Sequence, residues 1–226
     1  MPGKLFLLPN LLTEEDECPL RSMPSRVGEI VPSLDGLIAE SEKGARRYLK
    51  KFPFPEGRRF QEVPIYLLNE HTKQEEITSL LEPLLQGKTL GLISDAGLPC
   101  LADPGAPLVF LARQKDIEVE AIPGPSSLIL ALMLSGLSAQ KFSFLGYLDK
   151  DVEKRRFAIK QLEKESKQKG MTQVFIEAPY RSAALLTTLL ETLEESTQLS
   201  VSTRLTYPDE MTITLPIRLW KKMTSP

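Results

Sequence analysis

Cysteine and histidine are nearly absent: Cys18, Cys100 and His71 are the whole supply. Two cysteines and one histidine cannot complete a Cys/His zinc site, so no metal is expected. They also cannot build a disulfide framework, which makes a reducing cytoplasm the expected compartment. Long apolar runs are missing too. The run of most interest, Leu128 to Leu134, falls far short of the roughly 20 residues needed to span a bilayer. The opening MPGKLFLLPNLLTEEDEC reads poorly as a signal peptide, because Pro9-Asn10 breaks its apolar run and four acids follow within five residues. A soluble, cytoplasmic protein without a membrane association is expected. Neither GxGxxG nor GxxxxGK[ST] occurs, which argues against a site that cradles a pyrophosphate. No charge sign dominates either. Lysine and arginine total 28 against 30 acids, a formal net charge of −2, so no global field points to nucleic acid.

What is present is the composition of an ordinary globular protein, 42% hydrophobic and 26% charged over 226 residues, enough for one large domain or two modest ones. The charge is unevenly placed. Between Lys43 and Arg59 lie seven basic residues and one acid, and between Lys141 and Gly170 nine basic residues meet five acids. Such islands hold a polyanion locally or are simply solvated faces.

Apolar and amphipathic stretches alternate. KLFLL (4–8), GLIAE (36–40), VPIYLL (63–68), TLGLIS (89–94) and IEVEAI (117–122) read as strands, with a basic helix near 41–51 and another near 105–114. Thr72-Lys-Gln-Glu75 has the form of a capping box, followed by leucines at helical spacing. This order predicts an α/β layer with a mostly parallel sheet. After PGPSS (123–127), the run Leu128 to Leu134 is apolar all round and is expected as a buried helix opening a second α/β domain with a mixed sheet. FSFLGYL, a long helix from Asp151 to Lys169 stopped by Gly170, TQVFIEA, a leucine-striped helix, LSVSTRLT and MTITL follow, closing the chain on strands. The expected domains are 1–122 and 123–226.

The chemically notable residues share one edge. Glu40-Ser41, Asn69-Glu70-His71, Ser94-Asp95-Ala96-Gly97, PGPSS and Glu177-Ala178-Pro179-Tyr180-Arg181 each follow a strand. In open parallel sheets ligands bind beyond the carboxyl ends of strands. A ligand with a ribose, an amine and a base but no phosphate suits these loops. Asp95 can accept from ribose hydroxyls or neutralise a cation, and Ala96 and Gly97 allow close backbone approach. Asp95 and Asp103 can equally cap turns, and His71 reads as a surface or capping residue as readily as a catalyst.

LISDAGLPCLADPG, IPGPSS and VFIEAPYR, in that order, resemble the tetrapyrrole (corrin/porphyrin) methylase superfamily, and within it the branch of ribosomal RNA small subunit methyltransferase I. AESEKGARRYL and LNEHT are similar to further segments of that branch. The resemblance covers roughly residues 4 to 215 and implies two α/β domains with S-adenosylmethionine in a cleft between them, in a homodimer. It carries cofactor contacts onto Asp95, Ala96, Gly97, Pro99, Ser126, Ser127, Glu177 and Ala178. For the substrate it implies 2′-O-methylation of a ribose in small-subunit ribosomal RNA, with Arg46, Arg47, His71 and Tyr180 facing the RNA. Glu40 is the candidate base and Arg181 the candidate phosphate holder. The sequence departs from the family where Pro9-Asn10-Leu11-Leu12 lacks the glycine of the usual first loop, where Ser41 replaces an aspartate, and where the chain stops at Pro226. A methyltransferase of tetrapyrrole-like acids and a cofactor-binding relative without activity are the alternatives.

Overall fold

The structure, a computed structural model, describes residues 2–12 and 23–224. Cys18 and the acids at 14–17 lie outside the described residues. The chain divides into two compact units, Met1–Ser126 and Ser127–Pro226.

Unit 1 runs β1 (Lys4–Leu7), α1 (Ser25–Ile30), β2 (Gly36–Ala39), α2 (Glu42–Leu49), β3 (Ile65–Leu67), α3 (Gln74–Ser79), α4 (Glu82–Leu85), β4 (Thr89–Leu92), α5 (Ala106–Gln114) and β5 (Glu118–Ala121). The five strands form one sheet in the order β3-β2-β4-β1-β5. Every pairing is parallel, with Leu5 opposite both Leu90 and Val119. A sheet covered on both faces needs strands that are apolar throughout, and all four residues of β2 are buried. Neighbouring residues of β2 feed opposite faces. Leu37 joins Leu8, Val27, Leu34, Tyr48 and Leu49, whereas Ile38 joins Leu5, Leu84, Leu90 and Leu108. The strand order sets where a ligand can sit. The chain leaves β1 toward β2 on one side and leaves β4 toward β5 on the other, so the loops after β1 and β4 part at the middle of the sheet.

Unit 2 runs α6 (Ser127–Leu134), β6 (Phe142–Tyr147), α7 (Val152–Lys169), β7 (Thr172–Ile176), α8 (Pro179–Thr192), β8 (Gln198–Thr203), β9 (Met211–Pro216) and α9 (Ile217–Thr224). β6 and β7 pair in parallel and β8 and β9 antiparallel. Asp151 caps α7 by accepting the Lys154 amide at 2.9 Å, and Gly170 ends that helix in the left-handed conformation, φ 59°. Leu148, Ile159, Leu185, Leu189, Leu199 and Trp220 form its core.

Three expectations are corrected. α6 is not buried all round. It packs against β7 and β8, Leu132 is its one buried residue, and Ile129, Met133 and Leu134 are 41%, 71% and 48% exposed. Partners line one side of the helix within unit 2, and uniform apolarity cannot say which side. The capping box slips by one residue. Only its carboxylate half forms: Glu76 accepts the Lys73 amide at 2.8 Å, the Thr72 amide is given to the Asn69 carbonyl at 3.1 Å, and the Thr72 hydroxyl accepts the Asn69 amide at 2.9 Å. The chain closes on α9, whose Trp220 indole N–H donates to the Leu199 carbonyl at 2.9 Å, and not on a strand. Among the described residues no helix is long and apolar enough to cross a membrane, and no group of three or more His, Cys, Asp or Glu side chains could hold a metal.

Candidate functional site

The carboxyl edge of the unit 1 sheet gathers four loops. The loop after β4 carries Ser94, Asp95, Ala96 and Gly97. Asp95 and Ala96 are exposed, while Gly97 and Pro99 are buried. The loop after β2 brings Glu40, whose Oε1 accepts the Asp95 amide at 3.1 Å. The loop after β1 brings Asn10, whose backbone N–H donates to the Gly97 carbonyl at 2.7 Å. The loop after β5 brings Gly124, where a Cβ would lie 2.1 Å from Pro9 Cβ. Only a residue without a side chain lets these last two loops touch. Pro9 is fixed from the other side, because the buried Tyr48 hydroxyl donates to its carbonyl at 3.1 Å. Burial holds the Tyr48 proton on, so that donor persists at any working pH.

Asp95 leans on the start of α2. A Cβ at Gly44 would lie 2.8 Å from Asp95 Oδ1 and 2.9 Å from the Ser41 hydroxyl. Ser41 caps this helix by accepting the Gly44 amide at 3.1 Å. The carboxylate is therefore seated where helix amides and the helix dipole favour negative charge. Among the described residues Asp95, Glu40 and Asp103 form no ion pair. Burial first, then the neighbouring carboxylates of Asp103, Asp95 and Glu70, push Glu40 above the usual carboxylate range, with the Asp95 amide opposing. Asp103 is raised in the same way by burial and by Asp95, against a hydrogen bond from Ser94. Burial and Asp103 push the Cys100 thiol up to about 11, so it is not a thiolate near neutrality. Cys100 and Ala102 both take left-handed backbone conformations, φ 68° and 65°. Such strain in residues other than glycine marks a loop held in shape by its surroundings.

The residues expected to face RNA separate into different roles. Arg46 is tied down within unit 1, donating to the carbonyls of Phe60 and Val63 at 3.1 and 2.8 Å. Arg58 donates likewise to the Pro32 and Leu34 carbonyls, and Arg59 pairs with Glu62 at 2.9 Å. Arg47 and Lys50 are exposed on the same basic segment. His71 is exposed, with Nε2 3.5 Å from the Glu70 carboxylate.

In unit 2, Glu177, Ala178 and Arg181 come together where β7 gives way to α8. Glu177 Oε1 accepts the Ala178 amide at 2.9 Å, and Oε2 lies 3.0 Å from the Arg181 guanidinium. Arg181 also donates to the Leu148 carbonyl at 3.2 Å. Its cation is matched inside unit 2 by a carboxylate that is itself buried. Tyr180 projects from the start of α8 and is 85% exposed. Ser126 is half-buried, and Ser127 opens α6 in an exposed position.

Asn10 escaped the sequence reading. Its Nδ2 donates to the Ser94 and Asp95 carbonyls, both at 3.0 Å, and its Oδ1 accepts the Leu11 amide at 2.9 Å. The available signal was its position: a polar residue directly beyond the buried strand KLFLL, on the edge where the other loops gather.

What the edge can do chemically follows from its donors. It offers carboxylates and fixed backbone groups, a set that repels a phosphate anchor and suits hydroxyls, ammonium or another cation. A sequence model of the family described as Tetrapyrrole (Corrin/Porphyrin) Methylases matches residues 26–219. The chain is 31% identical over 192 residues to the ribosomal RNA small subunit methyltransferase I of Thermotoga maritima, covering 85% of this chain and 78% of that protein. It is 29% identical over 198 residues to the protein of the same name from Vibrio cholerae serotype O1, covering 88% of this chain and 65% of that one. The chain thus spans less than two thirds of the length of the Vibrio cholerae relative. Among solved structures it is similar to the methyltransferase CobJ, with a TM-score of 0.63, 15% identity, and coverage of 96% of this chain and 87% of that one. It is also similar to diphthine synthase, with a TM-score of 0.60, 14% identity, and coverage of 97% and 84%. At these identities the structural likeness speaks for the fold.

Proposed function

The chain belongs to the tetrapyrrole (corrin/porphyrin) methylases, and from that membership we propose that it is an S-adenosylmethionine-dependent methyltransferase acting on a ribose 2′-hydroxyl of small-subunit ribosomal RNA. The observation that carries the cofactor half is the Asp95 carboxylate, exposed at the parting of the β1 and β4 loops and, among the described residues, without a cation of its own. The residues fit the group. A carboxylate in a phosphate-free, acidic edge is matched to ribose hydroxyls and to a positively charged ligand, and it disfavours a nucleotide phosphate.

When bound, S-adenosylmethionine supplies an electrophilic methyl group on a sulfonium. The chain's own part is alignment and charge. Asp95 holds the ligand and Ala96 and Gly97 present backbone groups to it, in a chain whose left-handed turns at Cys100 and Ala102 are held by their surroundings. Glu40 is placed to accept the proton that a hydroxyl loses. Its proton affinity is raised by burial toward neutrality, which is the direction a general base needs. Arg47 and Lys50, exposed on the basic segment, supply the phosphate contacts that dominate RNA affinity.

The RNA assignment rests on the relatives' names and on that basic segment. A second reading has one observation behind it. Arg46, Arg58 and Arg59 are spent on carbonyls and on Glu62, which thins the cationic surface and favours a small acid substrate over a polyanion. One experiment addresses both. Isothermal titration with S-adenosylmethionine is expected to show binding that Asp95→Ala abolishes. Methylation mapping of ribosomal RNA from cells lacking the protein is expected to show one lost ribose methyl. An intact methylation map beside normal cofactor binding would favour the small-molecule reading, and unchanged affinity in Asp95→Ala would remove Asp95 from the site.

A further inference from the structure

We infer that Asn10 is the positioning residue of this site, the group that sets the shape of the loop holding Asp95. The inference deepens the proposed function and rests on it for the identity of the ligand. Three consecutive features of the 94–97 loop are gripped by one residue. Its side-chain Nδ2 donates to the carbonyls of Ser94 and Asp95, both at 3.0 Å, and its backbone N–H donates to that of Gly97 at 2.7 Å. Two neighbouring carbonyls drawn to a single NH₂ must turn inward together. The Asp95 amide is pinned independently by Glu40 at 3.1 Å. The peptide units on both sides of Asp95 are then fixed, and the carboxylate has only its own χ angles left to search.

The amide orientation is dictated by its partners. The Leu11 amide at 2.9 Å and the Lys51 ammonium at 3.4 Å both donate to Oδ1. A flipped amide would set its oxygen against two carbonyl oxygens and its NH₂ against two donors, so only one orientation is satisfied. Donors acting on Oδ1 polarise the amide and strengthen what Nδ2 gives. Asn10 is 8% exposed, so water cannot replace these bonds without opening the loop. Its place is the parting of the β1 and β4 loops, where a ligand has room and where the backbone must be held from behind. Gly124, closed against Pro9, prevents the β1 loop from retreating.

The role is one of holding and not of contact, so the test separates loop shape, affinity and stability. Asn10→Asp keeps the size and the acceptor for Leu11 but removes both donors, and Asn10→Ala removes the side chain. Leu84→Ala is the stability control. Leu84 is fully buried, and its carbonyl receives the Gly3 amide ahead of β1, at the opposite end of the sheet. Hydrogen exchange of the ligand-free full chain is expected to show faster exchange across 94–97 in both Asn10 variants and parental exchange there in Leu84→Ala. Titration with S-adenosylmethionine at a temperature where all are folded is expected to show affinity reduced about tenfold or more in both Asn10 variants, of the order that lost buried hydrogen bonds produce, and unchanged in Leu84→Ala. Parental exchange at 94–97 in Asn10→Asp overturns the inference, as does parental affinity. If the parent itself binds no S-adenosylmethionine, the proposed function falls. The exchange comparison still decides whether Asn10 holds the loop.

Discussion

Replacing Gly44 by alanine pits two effects of known size against a third that only the site would feel. Gly44 is the third residue of α2, after the Ser41 cap. Alanine there gains at most about 1 kcal/mol of helix propensity. The new Cβ would meet the Ser41 hydroxyl at 2.9 Å, and losing that cap costs about 1 kcal/mol. The two nearly cancel, so the melting temperature should move by no more than about 2–4 °C. The remaining contact is Asp95 Oδ1, 2.8 Å from the new carbon, which must retreat by roughly 0.6 Å to reach ordinary contact at 3.4 Å. The carboxylate is the end of a short side chain, so it yields cheaply, but it yields away from its ligand. A hydrogen bond to a charged group is worth about 1.5–3 kcal/mol, so lengthening the one from this carboxylate to its ligand should raise the S-adenosylmethionine dissociation constant about tenfold. Calorimetric titration of Gly44→Ala beside the parent and Asp95→Ala reads it directly. Parental affinity in a Gly44→Ala protein of parental stability would show that Asp95 Oδ1 does not touch the cofactor, and the reasoning about this edge would fail with it.

Glu40 is held above the ordinary glutamate range by burial and by Asp103, Asp95 and Glu70, so the folded state keeps its proton more tightly than the unfolded chain. The favourable contribution is complete below the ordinary value and is lost as pH rises through the raised one. Glu40→Gln keeps an acceptor for the Asp95 amide. Its stability relative to the parent should therefore rise from pH 4 to pH 7 in parallel chemical denaturations, while methyl transfer is lost if Glu40 takes the proton. Arg46→Ala removes donors from the Phe60 and Val63 carbonyls and should cost about 1–3 kcal/mol in denaturant melts. Lys50→Ala, on the exposed side, should stay within about 0.5 kcal/mol and lower RNA retention in a salt-dependent filter assay. Arg181→Ala strands the buried Glu177 carboxylate and should cost about 3 kcal/mol, most of it recovered by adding Glu177→Gln. An Arg181→Ala protein of parental stability that loses only RNA binding would instead make Arg181 a phosphate holder.

The parallel sheet of unit 1 could be read because its inner strands, β2 and β4, are apolar on both faces. Glu40, Asp95 and Gly97 could be read because they lie within a few residues of the ends of β2 and β4. What stayed hidden depends on partners distant in the chain. Arg46 looked like part of a cationic face, and nothing local reveals that the carbonyls of residues 60 and 63 claim it. Asn10 reads only as part of a break in an apolar run until the loop at 94–97 is brought against it. Thr72–Glu75 fits the capping pattern and Lys73–Glu76 does not, yet the Thr72 amide is given to the Asn69 carbonyl and it is Glu76 that reaches back, to the Lys73 amide. Uniform apolarity left α6 without a face to predict, whereas the stripe Leu186, Leu189, Leu190 and Leu193 announced the inner face of α8: Leu189 and Leu190 are buried, and Leu186 and Leu193 pack partly buried against the same core, with Leu185 beside them.

The contact between Gly124 and Pro9 has a mechanical result. One chain crossing lies on a ring that cannot rotate, and the Tyr48 phenol clamps that ring's carbonyl from behind. The two crossings therefore lie in direct contact, with no side chain between them. Any residue other than glycine at 124 would have to push the β1 crossing off the Tyr48 hydroxyl before the two could pass.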